Sequence, residues 1–220
     1  MSEWADRTVR APRQERSRAT LERMLAATEE LLVERGVDAL TLADVSRRSG
    51  ASIGAIYGRI HTKDDLIRAV QRRVLARVEA HQLALVARAR ERAGDLDGLT
   101  HELVEAVAET LHRDADVMRS LMTHANTDMV AAAAGKRSYG VVADAVEAAL
   151  LERRAEIRQS DPVRAVKSAY RMTYATIARH LGFGSAAMAA WEGDWMILKE
   201  DLGRMVAAFL TAGPRGGASG

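Results

Sequence analysis

The sequence predicts an all-α protein, and three observations carry that prediction. Prolines occur only at 12, 162 and 214, so residues 13–161 contain no helix breaker of that kind. Ala, Leu, Arg and Glu are abundant, and each costs little to place in a helix. Side chains such as Leu21, Leu25, Thr28 and Leu32 step by three and four residues, the period of one helix face. The chain has 220 residues, 48% apolar and 28% charged, which fits one or two domains with a real core.

The first helix is expected from about Gln14 to Arg35, with Gly36 where a C-cap belongs. Thr41 offers an N-cap hydroxyl and Asp44 an acidic first turn for a brief helix, Leu42 to Ser49, which Gly50 stops. Ser52 caps a second brief helix, about Ile53 to Ile60. Short helix, glycine-containing turn and short helix over residues 41–60 have the length and punctuation of a helix-turn-helix. Further helices are expected at 63–92, 97–113, 115–125, 128–158, 162–181 and 188–211. Thr62 caps the first of these, and Asp161-Pro162 opens the fifth. In the last, Trp191, Trp195, Leu198, Leu202, Met205 and Phe209 keep a 3.5-residue repeat, the seam of paired helices. Residues Gly213 to Gly220 read as a flexible tail.

Composition also excludes. The absence of cysteine removes disulfides, thiolate metal sites and cysteine nucleophiles. No apolar run reaches the roughly 18 residues of a membrane span, and the N-terminus lacks an apolar signal core. A cytoplasmic protein without membrane contact is the expectation. Gly50-Ala51-Ser52-Ile53-Gly54 satisfies G-x-S-x-G, but that elbow works only between a strand and a helix, and the preceding eight residues are helical. His101-Glu102 lacks the second histidine of H-E-x-x-H, and Glu109-x-x-His112 is the chain's one E-x-x-H pair where a di-iron bundle needs two. No enzyme, metal or cofactor is expected.

The net charge of +2 conceals an uneven distribution: residues 1–73 sum to +3 and residues 74–220 to −1. Residues 7–23 hold six arginines against Glu15 and Glu22. Residues 45–63 hold Arg47, Arg48, Arg59 and Lys63 with no acid. Two basic patches confined to the N-terminal part suit a polyanion partner there. Arg10, Arg13, Arg16 and Arg18 read equally as an arm along a duplex or as a solvated tail.

The segment TLADVSRRSGASIGAIYGRIHTKDDLI, residues 41–67, resembles the DNA-binding part of the tetracycline-repressor-like (TetR) family of bacterial regulators. The likeness lies in Thr41, Ala43 and Val45, in Gly50 and Ser52 of the turn, in Ile56-Tyr57, and in Ile60, Lys63, Asp64, Asp65 and Leu66. Ala26-Ala27, Leu31 and Arg35-Gly36 extend it upstream, so it covers about residues 15–70. Gly58, Arg59 and Ile60 depart from the family's usual residues. Gly58 loosens the end of the recognition helix by about 0.5–1 kcal/mol relative to alanine.

The resemblance implies that Thr41, Arg47, Ser52, Ile53, Ala55, Tyr57, Gly58, Arg59 and Lys63 face DNA. Small side chains from Ser52 to Ala55 admit the helix start to the major groove, with Ser52 at base edges and Ile53 at thymine methyls. Tyr57 reads as a phosphate-contacting hydroxyl, with a core position as the alternative. Lys63 beside a helix start makes a phosphate clamp. Four segments follow: a basic arm at 1–13, a helix-turn-helix domain at 14–67, a ligand-binding and dimerisation domain at 68–212 and a tail at 213–220.

The family also implies a homodimer on a palindromic operator, released by a small-molecule effector, and acting as a repressor. Val166, Tyr170, Ile177, Trp195, Leu198, Leu202 and Met205 are the candidate dimer residues, although an intramolecular core explains the same stripes. Met118, Met122, His124, Met129, Tyr139, Tyr174 and Trp191 are candidate effector contacts, because methionine and aromatic surfaces accommodate apolar ligands. The alternative function is a helical protein-interaction module on the same fold without sequence-specific DNA binding.

Overall fold

The computed structural model describes residues 13–183 and 193–213. These residues form α-helices and one short 3₁₀ turn: α1 (Arg13–Arg35), α2 (Leu42–Ser49), α3 (Ile53–Tyr57), α4 (Lys63–Arg92), α5 (Leu96–Arg113), α6 (Ala115–Ala125), α7 (Met129–Glu152), α8 (Pro162–His180) and α9 (Trp195–Thr211). No helix among them is long and apolar enough to cross a membrane. The chain divides into two compact units between Val70 and Gln71, inside α4 and three residues beyond the expected border at 67.

In the first unit α1 buries Met24, Leu25, Leu31 and Leu32, α2 buries Val45, and α3 buries Ile56. Leu66, Ile67 and Val70 of α4 complete this small core. Thr28, the polar member of the α1 stripe, is fully buried because its hydroxyl donates back to the Met24 carbonyl at 2.7 Å. The turn between α2 and α3 is tied at both ends. Gly50 adopts φ +68, Ser46 Oγ donates to the Ala51 carbonyl (2.7 Å), and the Ala51 amide donates to Ser49 Oγ (3.2 Å).

In the second unit α5 packs against α9, α8 and α7, and α7 against α8. Leu99, Leu103, Val107 and Leu111 of α5, Val142, Val146 and Leu150 of α7, Val166, Tyr170 and Ile177 of α8, and Leu210 of α9 form its core. Gly203 lets α9 approach α5 closely: a Cβ there would meet the His101 ring at 2.5 Å. Near them Lys199 is buried between Glu105 (2.9 Å) and Glu109, and Trp195 Nε1 donates to Glu109 at 2.7 Å. Burial works against the Lys199 ammonium, yet its hydrogen bonds to Glu109 and Glu105 carry its pKa above the ordinary lysine value.

Three helix boundaries differ from expectation by three residues or more. The helix expected to 158 ends at Glu152, followed by a 3₁₀ turn at Arg154–Glu156. Long-range bonds hold this break: Arg153 donates to the Ala93 and Gly94 carbonyls, and the Leu96 amide donates to Glu156 at 2.7 Å. The second short helix ends at Tyr57 instead of residue 60, because Arg59 and Ile60 donate back to the Ile56 carbonyl in a closing turn. The last described helix begins at Trp195, where Asp194 caps the Met196 and Ile197 amides, and residues 188–192 of the helix expected from 188 lie outside the described residues.

Candidate nucleic-acid interface and ligand cavity

Capping chemistry fixes the two short helices. Thr41 Oγ1 accepts from the Asp44 amide (3.2 Å) and donates to the Asp44 carboxylate (2.6 Å). That bond from Thr41, aided by Arg35 and Arg47, holds the Asp44 carboxyl below its ordinary pKa. Ser52 Oγ accepts from the Ala55 amide at 3.1 Å and starts α3. Thr62 and Asp65 cap α4 reciprocally, each side chain accepting the other's amide at 3.1 Å.

On this frame α3 turns Ile56 into the core and leaves Ser52, Ile53 and Tyr57 exposed; Tyr57 is 53% accessible. The alternative of a core tyrosine is therefore set aside. Ala55 is half-buried behind them, and Gly58 closes the helix as its C-cap.

The basic side chains fall into two kinds. Arg47 pairs with Asp44 at 2.6 Å, and Arg48 pairs with Glu34 (2.8 Å) and Glu30 (3.1 Å). Arg59 instead donates to the Ala55 carbonyl (2.9 Å) and Ser17 Oγ (2.6 Å), and Lys63 donates to the Asp38 carbonyl (3.2 Å). Neutral oxygens orient a cation without cancelling its charge. Among the described residues Arg59 and Lys63 have no carboxylate partner, so their positive charge flanks the exposed face of α3.

This refines two of the expected DNA-facing residues. The Thr41 hydroxyl is engaged on both sides by Asp44, so its visible work is to start α2. Arg47 has a carboxylate partner already. Of the N-terminal arginines, Arg16 and Arg18 are exposed on α1, whereas Arg10 lies outside the described residues.

The second unit carries a half-open cavity of about 360 Å³. Met118, Met122, Tyr139 and Tyr174 line it as expected, and Tyr170, assigned above to a dimer interface, joins them. The three tyrosine rings cluster, with centroids 4.8 Å (Tyr139–Tyr174), 5.4 Å (Tyr139–Tyr170) and 6.3 Å (Tyr170–Tyr174) apart. Burial raises all three phenol pKa values, Tyr170 most, so the hydroxyls stay neutral.

Two expected contacts do not line the cavity. His124 is buried against Asp128, 3.7 Å away, and Met129, first residue of α7, is 89% exposed. Trp191 lies outside the described residues. Sequence reasoning missed Gln71 and Gln82, which line the cavity with Leu75 and Val78 between them. The signal was present: steps of 4, 3 and 4 place the four side chains on one face of α4.

The expected dimer stripe is largely used within the chain. Val166, Tyr170, Ile177 and Leu202 are buried because α8 packs on α5 and α7, and α9 on α5. Trp195 is half-buried, its ring 4.9 Å from His112 and 5.2 Å from His180, and Leu198 is also half-buried. Met205 alone of that set is exposed, and Met172, Met196 and Ile197 are exposed with it on α8 and α9.

Residues 24–70 match the family model of "Bacterial regulatory proteins, tetR family". The fold matches a protein of Mesorhizobium loti assigned to the TetR-family transcriptional regulators, at 17% identity and TM-score 0.72, over 89% of this chain and 96% of that one. It also matches Salmonella enterica GusR (19% identity, TM-score 0.62, 88% and 96% covered). A TetR family transcription regulator from Marinobacter aquaeolei is similar in the same way (16%, TM-score 0.60, 90% and 98% covered). No curated protein matches the chain.

Proposed function

We propose that this protein is a ligand-responsive transcriptional repressor, a reading supported by the match of residues 24–70 to the tetR-family model and by the likeness of most of the chain to solved TetR-family regulators. A homodimer holds two copies of α3 at the spacing of a palindromic operator, and a small apolar effector in the second unit's cavity favours a state that binds the operator less well. Such coupling is reciprocal and typically amounts to about 1–3 kcal/mol.

The observation that carries the reading is the pair of uncompensated cations, Arg59 and Lys63, beside exposed Ser52, Ile53 and Tyr57. Cations and the Tyr57 hydroxyl suit phosphate oxygens, and the α3 start suits base edges. Exposed Met172, Met196, Ile197 and Met205 supply apolar surface for pairing of two copies.

Selection from a randomised duplex library at about 0.15 M salt tests the reading. An enriched palindrome is the expected outcome. No retention even at low salt would instead favour a helical protein-interaction module. On the selected site, Tyr57→Phe lowers affinity about fivefold for lack of one hydroxyl contact, with the fold and the oligomeric state unchanged.

A further inference from the structure

Helix α7 is held unevenly along its length. In its second half Val142, Ala143, Val146, Ala149 and Leu150 are buried, and Glu152 pairs with Arg90 of α4. In residues 129–140 Ala131 alone is buried, and Met129 and Val130 are 89% and 58% exposed. Few buried apolar side chains allow a helical stretch to open locally, at far less cost than global unfolding. Gln71 of α4 tethers the start of this half, its Nε2 donating to the Ala131 carbonyl at 3.0 Å.

Between that tether and the packed half, the chain borders the half-open cavity, where Ala132, Gly135, Lys136 and Tyr139 line it. This stretch holds two glycines that packing does not demand. A Cβ at Gly135 or Gly140 would meet nothing within 4 Å, and neither glycine has a positive φ. Alanine, which fills positions 131–134, would suit a helix interior better. What glycine adds at both places is freedom to bend. Tyr139 sits between them, its ring centroid 5.4 Å from Tyr170 and 4.8 Å from Tyr174, so bending here moves an aromatic wall of the cavity. A half-open cavity leaves part of an apolar guest in water, and inward bending of this stretch would cover that surface.

We propose that residues 132–140 are a strap that closes over the occupied cavity, tethered at Ala131, anchored from Val142 onward and bending at Gly135 and Gly140. The proposal rests on the reading of this cavity as the effector site.

Amide hydrogen exchange and stopped-flow binding of the neutral fluorophore N-phenyl-1-naphthylamine, both on the full-length protein, test it. Without the fluorophore, the amides of residues 135–140 exchange about tenfold faster than those of residues 144–150; with it bound, they slow to the same range. Gly140→Ala adds a methyl group to open space, outside the cavity lining, and stiffens the strap in its open form. The fluorophore then dissociates about threefold faster, with its association rate unchanged. Gly135→Ala acts in the same direction and serves if the first variant does not fold. Four results each overturn the proposal: exchange at 135–140 as slow as at 144–150 in the free protein, exchange that binding leaves fast, unchanged dissociation from Gly140→Ala, or no uptake of the fluorophore.

Duplex affinity measured with and without the fluorophore separates this outcome from the functional reading. The expected exchange and dissociation with unchanged duplex affinity keep the strap and remove the ligand response. Altered duplex affinity with unchanged dissociation from Gly140→Ala keeps the response and removes the strap.

Discussion

Arg47 and Arg48 on α2 and Arg59 and Lys63 around α3 look equivalent in a count of charges, but their surroundings differ. Arg48 spends its charge on Glu34 and Glu30, and Arg47 shares the single charge of Asp44 with Arg35. The second pair is steadied by carbonyl and hydroxyl oxygens, and its charge stays available. Within one small unit, the same residue types stitch helices together in one place and prepare a polyanion surface in another. The lesson is that a basic patch has to be read through its acceptors. A carboxylate partner subtracts a charge from the patch, whereas a carbonyl partner only aims it.

The largest test of this contrast removes both available cations. Arg59→Ala combined with Lys63→Ala lowers affinity for any duplex about a hundredfold at about 0.15 M salt, measured by fluorescence anisotropy. A loss confined to the selected operator would mean that these residues read bases instead of phosphates. A smaller effect comes from freeing a spent cation. Asp44→Asn leaves Arg47 without its carboxylate and raises non-specific duplex affinity about two- to threefold, while helix α2 becomes easier to unfold.

The smallest effect is a pH dependence. Asp44 and Asp65 both have pKa values depressed in the folded protein, chiefly by hydrogen bonds from Thr41 and Thr62. A depressed carboxyl pKa stabilises the fold above the unfolded value of about 3.9, and that contribution is lost as pH falls through the folded value. Thermal melting between pH 7 and 3 therefore shows the first unit weakening only below about pH 4. The dependence shrinks in Thr41→Ala, which also loses about 1 kcal/mol of capping at neutral pH. Weakening that already begins near pH 6 would point to histidine instead.

What was legible in the sequence follows local chemistry. Thr41, Gly50, Ser52 and Thr62 mark helix ends through bonds that span three residues or less, or through a positive φ, so the helix-turn-helix could be read directly. The break after Glu152 could not, because its partners Ala93, Gly94 and Leu96 lie about sixty residues away. Apolar spacing shows that a stripe exists but not what covers it. Val166, Ile177 and Leu202 fit a dimer seam and an internal core equally well until the helices around them are placed. Gln71 and Gln82 escaped notice for a related reason: a lone neutral amide between apolar positions gains meaning only once the cavity beside it is seen.

The slope of duplex affinity against salt concentration tests the contrast between the two cation pairs most directly. Each phosphate neutralised contributes about 0.9 to that slope on a log–log plot. Arg59→Ala and Lys63→Ala should each reduce the slope by about one, while Arg48→Ala leaves it unchanged. A full-sized drop in slope for Arg48→Ala, with none for Arg59→Ala and Lys63→Ala, would contradict the assignment of the α3 face as the polyanion-binding surface.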